Sequence, residues 1–201
     1  MYAESRPVDI TTPDPVAYLP RRFSVDEYYR MAEIQILTET DRVELIDGRI
    51  LVMEPIGPEH GGHTMALNHL FTSLLHDRAI IGVQSAIHID KYNEPQPDVA
   101  VCRLREDFYK RSHPTPADLY LIVEVAWTSA PRDREVKVPL YGSAGIPEYW
   151  IIDIPHRTLE VYRGPSSAGY DRMIRLRAGE TVRISAFNDV EIRVEDVVSL
   201  D

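Results

Sequence analysis

The chain has a single cysteine, Cys102, among its 201 residues. That excludes an intramolecular disulfide framework and a cysteine-rich zinc site, and it suits a reducing compartment. No apolar run approaches the ~20 residues needed to span a bilayer, and no basic stretch followed by an apolar segment marks a secretory leader. A soluble cytoplasmic protein that does not enter a membrane is the expectation. Positive charge is also short, with 32 acidic residues facing 22 basic ones for a formal net charge of −10. Such a balance excludes coating of nucleic acid or an anionic membrane by bulk charge. It leaves room for a phosphate site built locally around a metal ion. Lysine is scarcest: Lys91, Lys110 and Lys137 stand against 19 arginines.

Apolar residues make up 44 % of the chain and charged residues 27 %, a globular composition at a length that suits one domain. Pro7, Pro13, Pro15 and Pro20 predict an extended arm over residues 1–22, leaving a single domain over 23–201. Ser24 with Glu27 three residues later reads as a capping box, opening a helix through about Ala32. Asp47-Gly48 between Val43–Ile46 and Arg49–Met53 reads as a tight hairpin. In that register Val43, Leu45, Ile50 and Val52 share an apolar face and Glu44 lies on the other. Gly57 to Gly62 breaks the pattern, and a helix is expected from about His63 to Asp77.

Strands follow at Ile80–Ile89, Asp98–Cys102 and Leu119–Ala126, with a basic loop at 103–113 between the last two. Arg132–Ala144 reads as a helix that Pro139 kinks, Glu148–Ile154 as a strand, and 158–195 as a β-rich tail of three or four short strands. The fold class expected is α/β, a mixed sheet flanked by helices, with the N-terminal arm and the β-rich C-terminal tail added.

The informative residues are acids inside apolar strands. Glu124 is the sole charge in Leu-Tyr-Leu-Ile-Val-Glu-Val-Ala at 119–126, a run apolar enough to be central. Asp98 lies between Pro97 and Val99-Ala100-Val101-Cys102, and Glu44 repeats the pattern in the hairpin. Any one of them alone reads as a solvent-facing acid or an arginine partner. Three such acids in strands of one sheet, about 4.8 Å apart, would repel one another without a cation. All-oxygen ligands favour Mg²⁺ or Mn²⁺.

Phosphodiester chemistry also needs a cationic side chain to orient water or neutralise charge, and lysine suits both tasks. Lys91 sits in a turn and Lys110 in the basic loop. Lys137 follows the Glu124 strand, one helical turn beyond Asp133 and one before Tyr141. Its ordinary reading is an exposed i,i+4 partner of Asp133.

Pro97-Asp98 followed by Glu124-Val125-Ala126 resembles the PD-(D/E)XK nuclease signature, with Ala126 in the usual lysine position. Superfamily members that supply the lysine from the following helix match Lys137. The ordered blocks Asp41–Gly48, Gly57–His60, Pro95–Asp98, Leu121–Val125, Asp133–Lys137 with Tyr141, and Gly145–Trp150 resemble the Uma2 family of that superfamily over about 23–195. The resemblance implies a restriction-endonuclease-like core and a Mg²⁺- or Mn²⁺-dependent endonuclease acting on DNA. In that reading Asp98, Glu124 and the Val125 carbonyl hold the metal, Lys137 positions the water, and Glu44 adds a further ligand. A homodimer is expected, since cutting both strands of a duplex favours two-fold symmetry.

Weaker signals remain. His60 and His63 are read as a helix-start residue and a surface residue rather than metal ligands. The basic loop, with Phe108 and Tyr109, suits a phosphate backbone or a solvated surface equally. Trp127-Thr128-Ser129 shows no nucleophile-elbow pattern, so a serine hydrolase is rejected. The competing class is a non-catalytic DNA-binding or protein-interaction module on a nuclease fold, which Ala126 keeps open.

Overall fold

The structure, a computed structural model, describes residues 20–38 and 40–199; most of the expected N-terminal arm lies outside them. Helix α1 spans Val25–Glu33 behind the expected capping box, in which the Ser24 side chain accepts from the Glu27 N–H and Glu27 accepts from the Ser24 N–H. Strands β1 (Val43–Ile46) and β2 (Arg49–Val52) pair in the expected register, Val43 opposite Val52. Asp47 and Gly48 both adopt positive φ, +52° and +68°, as a two-residue hairpin turn demands.

Both faces of β1 are covered: Leu45 is buried on the apolar face and Glu44 and Ile46 on the other, whereas Val52 at the end of β2 is largely exposed. The hairpin also forms its own two-stranded sheet, so Glu44 does not share a sheet with Asp98 and Glu124. It docks through backbone bonds. Leu45 and Glu94 exchange N–H donations, and the Asp47 N–H donates to Asn93 Oδ1.

Helix α2 spans Pro58–Leu75 and starts five residues earlier than expected, with Gly61 and Gly62 inside it. Gly57 is its N-cap, Pro58 occupies the first turn where its missing N–H costs nothing, and Glu59 complements the positive end. Those start signals outweigh two helix-weakening glycines.

The main sheet has the order β3-β4-β5-β6-β7-β8. Its strands are β3 (Ile80–Val83), β4 (Val99–Cys102), β5 (Leu119–Ala126), β6 (Glu148–Asp153), β7 (Thr158–Ser166) and β8 (Gly169–Arg177). Every neighbouring pair is antiparallel except β5–β6, which is parallel. This is the mixed sheet expected, but the tail's first two strands are long and extend it. Strand β3 is shorter than the run that suggested it, and β9 (Thr181–Arg183) with β10 (Glu191–Arg193) forms a separate ribbon before α5 (Glu195–Val198).

The expected helix at 132–144 is broken into α3 (Ala130–Arg132), a π turn over Asp133–Lys137, and α4 (Val138–Ser143). Pro139 has no N–H to continue an i→i−4 ladder, and its ring would press on the Glu135 carbonyl, so the chain widens just before it.

Alternation along β5 sorts the core. Leu121, Val123 and Val125 pack with Leu67, Phe71 and Leu75 of α2, while Ile122 and Ala126 face Tyr141, Ile146 and Tyr149 on the α4 side. Glu124 therefore points into the α4 side. Among the described residues no helix is long and apolar enough to cross a membrane.

Helix α4 lies directly on β8. A Cβ built on Gly142 would stand 2.0 Å from the Gly169 carbonyl oxygen, a backbone atom that cannot swing away. Gly142→Ala is expected to cost about 3 kcal/mol or more. Gly62→Ala, with nothing within 4 Å of the new methyl, should stabilise by roughly 0.5–1 kcal/mol. Urea midpoints of the two variants check both directions.

Candidate active site

Strands β4 and β5 pair with Val99 opposite Val123, and one further step of that register sets Asp98 opposite Glu124. Both carboxylates belong to the same face of the sheet by alternation. The Val125 N–H donates to Asp98 Oδ2 at 2.8 Å. In an extended residue N–H and C=O point to the same side, so the Val125 carbonyl also turns toward Asp98.

The π turn delivers Lys137 to this pair. Its ammonium donates to Glu124 Oε1 at 2.7 Å and stands 3.7 Å from Glu44 Oε2 and 3.9 Å from Asp133 Oδ1. Lys137 is 4 % exposed and Glu124 5 %. The exposed surface pairing with Asp133 expected from helical spacing is thus replaced by a buried contact with Glu124. Tyr141, one turn further on, donates its hydroxyl to the same Glu124 Oε1 at 3.2 Å. The Gln96 N–H donates to Glu44 Oε2 at 3.3 Å, and Arg132 Nη2 lies 3.5 Å from Glu44 Oε1. Glu44 therefore reaches the site from a separate hairpin, held by the segment that leads into Asp98.

Sequence reasoning set His60 at a helix start, as observed, but not beside Asp98. Because α2 begins at Pro58, His60 lies in its first turn with Nε2 3.1 Å from Asp98 Oδ2, while His63 is buried rather than exposed. The hydrogen bond to Asp98 holds His60 above its usual pKa, against the opposing effect of burial. The signal was available in Gly57-Pro58-Glu59, a helix start that the two following glycines disguised. The basic loop lies elsewhere. It joins the far ends of β4 and β5, and Arg105 there is engaged with Asp107 and Ser112.

Charge is the decisive property. Burial pulls the Lys137 pKa down, but Glu124, Glu44 and Asp133 outweigh it and hold the ammonium protonated. Burial pushes Glu124 well above its ordinary 4.5, Lys137 opposes this, and Asp98 and Asp133 add to it. Burial likewise raises Asp133. Other buried acids of this fold are differently served. Glu160 accepts from Arg134, Arg175 and Tyr162, and Glu148 accepts from Trp150 Nε1, Arg163 and the Ser185 N–H. The carboxylates around Lys137 share one ammonium and the half-exposed Arg132.

His60, Asp98, Glu124, Arg132, Asp133 and Lys137 line one cavity of about 420 Å³. Among the described residues no three carboxylate, imidazole or thiol groups converge into a complete metal cage. Mg²⁺ does not need one, since it keeps several waters and takes one or two carboxylates. Asp98, Glu124 and a carbonyl directed the same way fit that demand, and excess negative charge favours a cation there.

The family model for Uma2, described as a putative restriction endonuclease, matches residues 25–195. A solved structure of a putative nuclease belonging to DUF820, from Anabaena variabilis ATCC 29413, is similar with a TM-score of 0.69 at 16 % identity. The match covers 88 % of this chain and 98 % of that one. No curated protein matches.

In metal-free buffer the Glu124 shift has a definite sign. Burial makes the folded carboxyl give up its proton less readily than the unfolded one, whose ordinary value is 4.5, so this group's contribution to stability falls as pH rises above that value. Glu124→Gln removes the effect. Its stability relative to the parent is expected to improve as pH rises above the ordinary carboxylate value of 4.5 in chelator, read from urea unfolding curves.

Proposed function

The chain belongs to the Uma2 family of putative restriction endonucleases, and from that membership and the cavity's chemistry we propose that it is a metal-dependent endonuclease that hydrolyses DNA phosphodiester bonds. One observation carries the reading: a buried lysine ammonium held 2.7 Å from Glu124, whose strand position faces Asp98 across β4–β5. A purely structural core gains little from such an arrangement, because a buried ion pair rarely outdoes apolar packing.

Asp98, Glu124 and the Val125 carbonyl would hold Mg²⁺ or Mn²⁺, with Glu44 close by as a further acceptor. The bound ion supplies positive charge at the scissile phosphate and eases ionisation of a nearby water. The chain's own residues do the rest. Lys137 keeps its proton, so it acts as a hydrogen-bond donor that orients the attacking water and shields the phosphate's charge, not as a base. Tyr141 and Glu124 fix the direction of that ammonium. The Val125 N–H and His60 together orient the Asp98 carboxylate. Two copies acting as a homodimer would address the two strands of a duplex.

The test is cleavage of a panel of DNA substrates with Mg²⁺, with Mn²⁺ and with chelator. Cleavage is expected to need the divalent ion and to fall roughly a hundred-fold or more in Lys137→Ala and in Asp98→Asn. Circular dichroism melts confirm that each variant is folded. Metal-dependent stabilisation without cleavage would favour the non-catalytic module, and undiminished cleavage by both variants would move the chemistry elsewhere.

A further inference from the structure

The cavity has a second character besides its charge. Its outer side is apolar, walled by Met53, Pro55, Ile56, Pro58 and Trp127. Trp127 follows directly on β5, two residues beyond Val125, and remains 48 % exposed. The segment carrying it is fastened across the cavity. Thr128 Oγ1 donates to Glu54 Oε2 at 3.0 Å, joining the chain after β5 to the chain after β2. Arg42 Nη1 donates to the Glu54 carbonyl at 2.9 Å, which braces that second segment. Arg42 and Arg132 bring guanidinium groups to the same cavity.

Phosphate recognition accounts for the arginines, and binding of a cation accounts for the carboxylate floor. It does not account for an exposed indole and an apolar wall beside them. An indole offers a flat face that any nucleobase can stack on. Inside a duplex both faces of each base are already stacked on neighbours, so the indole has a partner only where a base has left the helix. A volume of about 420 Å³ lies at the small-ligand end of binding cavities, the scale of a nucleotide rather than of a double helix. The net charge of −10 acts in the same direction, since a single strand carries a lower charge density than a duplex.

We infer that Trp127 forms a stacking subsite for an unpaired nucleobase next to the scissile phosphate, so that single-stranded or locally unpaired DNA is preferred over intact duplex. This rests on the endonuclease reading for the phosphate's position. Arg42 and Arg132 then face the flanking phosphates, and the Thr128–Glu54 contact keeps the indole at a fixed distance from Asp98 and Glu124.

Intrinsic fluorescence isolates the residue, because the chain has two tryptophans and Trp150 is fully buried. A single-stranded oligonucleotide and its blunt duplex are titrated in Ca²⁺, with emission and the anisotropy of a labelled strand as readouts. The single strand is expected to quench emission saturably and to bind about ten-fold tighter than the duplex. Trp127→Ala should weaken single-strand binding about ten-fold, and Trp127→Phe should recover most of it, with unchanged melting temperature in both. Equal affinity for the two forms, or an unaltered Trp127→Ala, overturns the inference. The two readings separate in cleavage assays. Quenching without metal-dependent cleavage of either form keeps the stacking subsite and removes the nuclease. Metal-dependent cleavage of duplex that is indifferent to Trp127→Ala keeps the nuclease and removes the subsite.

Discussion

One ammonium group among an excess of carboxylates is the constraint around which this molecule is arranged. Lys137 is buried where Glu124, Glu44 and Asp133 all approach it, and it can neutralise only one of them fully. Burying a charge is costly unless it is paired and hydrogen-bonded. The fold meets that cost for Lys137, while the acids share its one ammonium and are otherwise met by hydrogen bonds from Tyr141, Gln96 and Ser129 and by the half-exposed Arg132. The contrast with Glu160 is instructive. Burial raises that carboxyl too, but Arg134, Arg175 and Tyr162 outweigh it and hold the group below its usual range. The fold thus satisfies a buried acid when stability is the purpose, and the cluster around Lys137 departs from that practice.

The π turn is the device that makes the departure possible. In a regular helix Lys137 and Asp133 would lie one above the other, four residues apart, and pair at the surface. Widening over Asp133–Lys137 rotates the lysine inward, and its contact with Glu124 becomes shorter than that with Asp133. Arg134 anchors the widened turn from its other side by donating to Asp153 on β6 and Glu160 on β7. Pro139 supplies the local reason for the turn, and the arginine network supplies the rigidity that the donor role proposed for Lys137 requires.

How far the sequence could be read follows from which forces were local. Glu124 stood out because seven uncharged neighbours made β5 central, and Asp98 because it stands between Pro97 and the apolar run Val99–Cys102. Lys137 emerged through scarcity, since the other two lysines sat in loops. The centre of the mixed sheet was legible for the same reason, since β4, β5 and β6 are largely apolar runs. What stayed hidden is non-local, including the route by which Glu44, already a candidate, arrives. Glu44 reaches the cluster from a hairpin docked through residues 93–96, a tertiary contact with no periodic signature. The contact of His60 with Asp98 was hidden because Gly61-Gly62 suggests a break, whereas Gly57-Pro58 had already started the helix. The π turn required knowing that Lys137 is worth burying, which propensity alone does not encode.

A cavity whose carboxylates outnumber its cations cannot accept a phosphate unaided, and a chain of net charge −10 offers little help from its surface. On the proposed reading, cation and DNA must therefore bind with mutual support. The ion lowers the repulsion that the phosphate meets, and by linkage the phosphate tightens the ion by the same factor. Two poorly tolerated partners then become jointly stable, while either alone is weakly held. An acidic nuclease of this design gains selectivity from what it lacks. Without a basic surface to hold DNA indiscriminately, residence depends on the few groups that converge on Asp98 and Glu124, so the cavity itself decides which DNA stays.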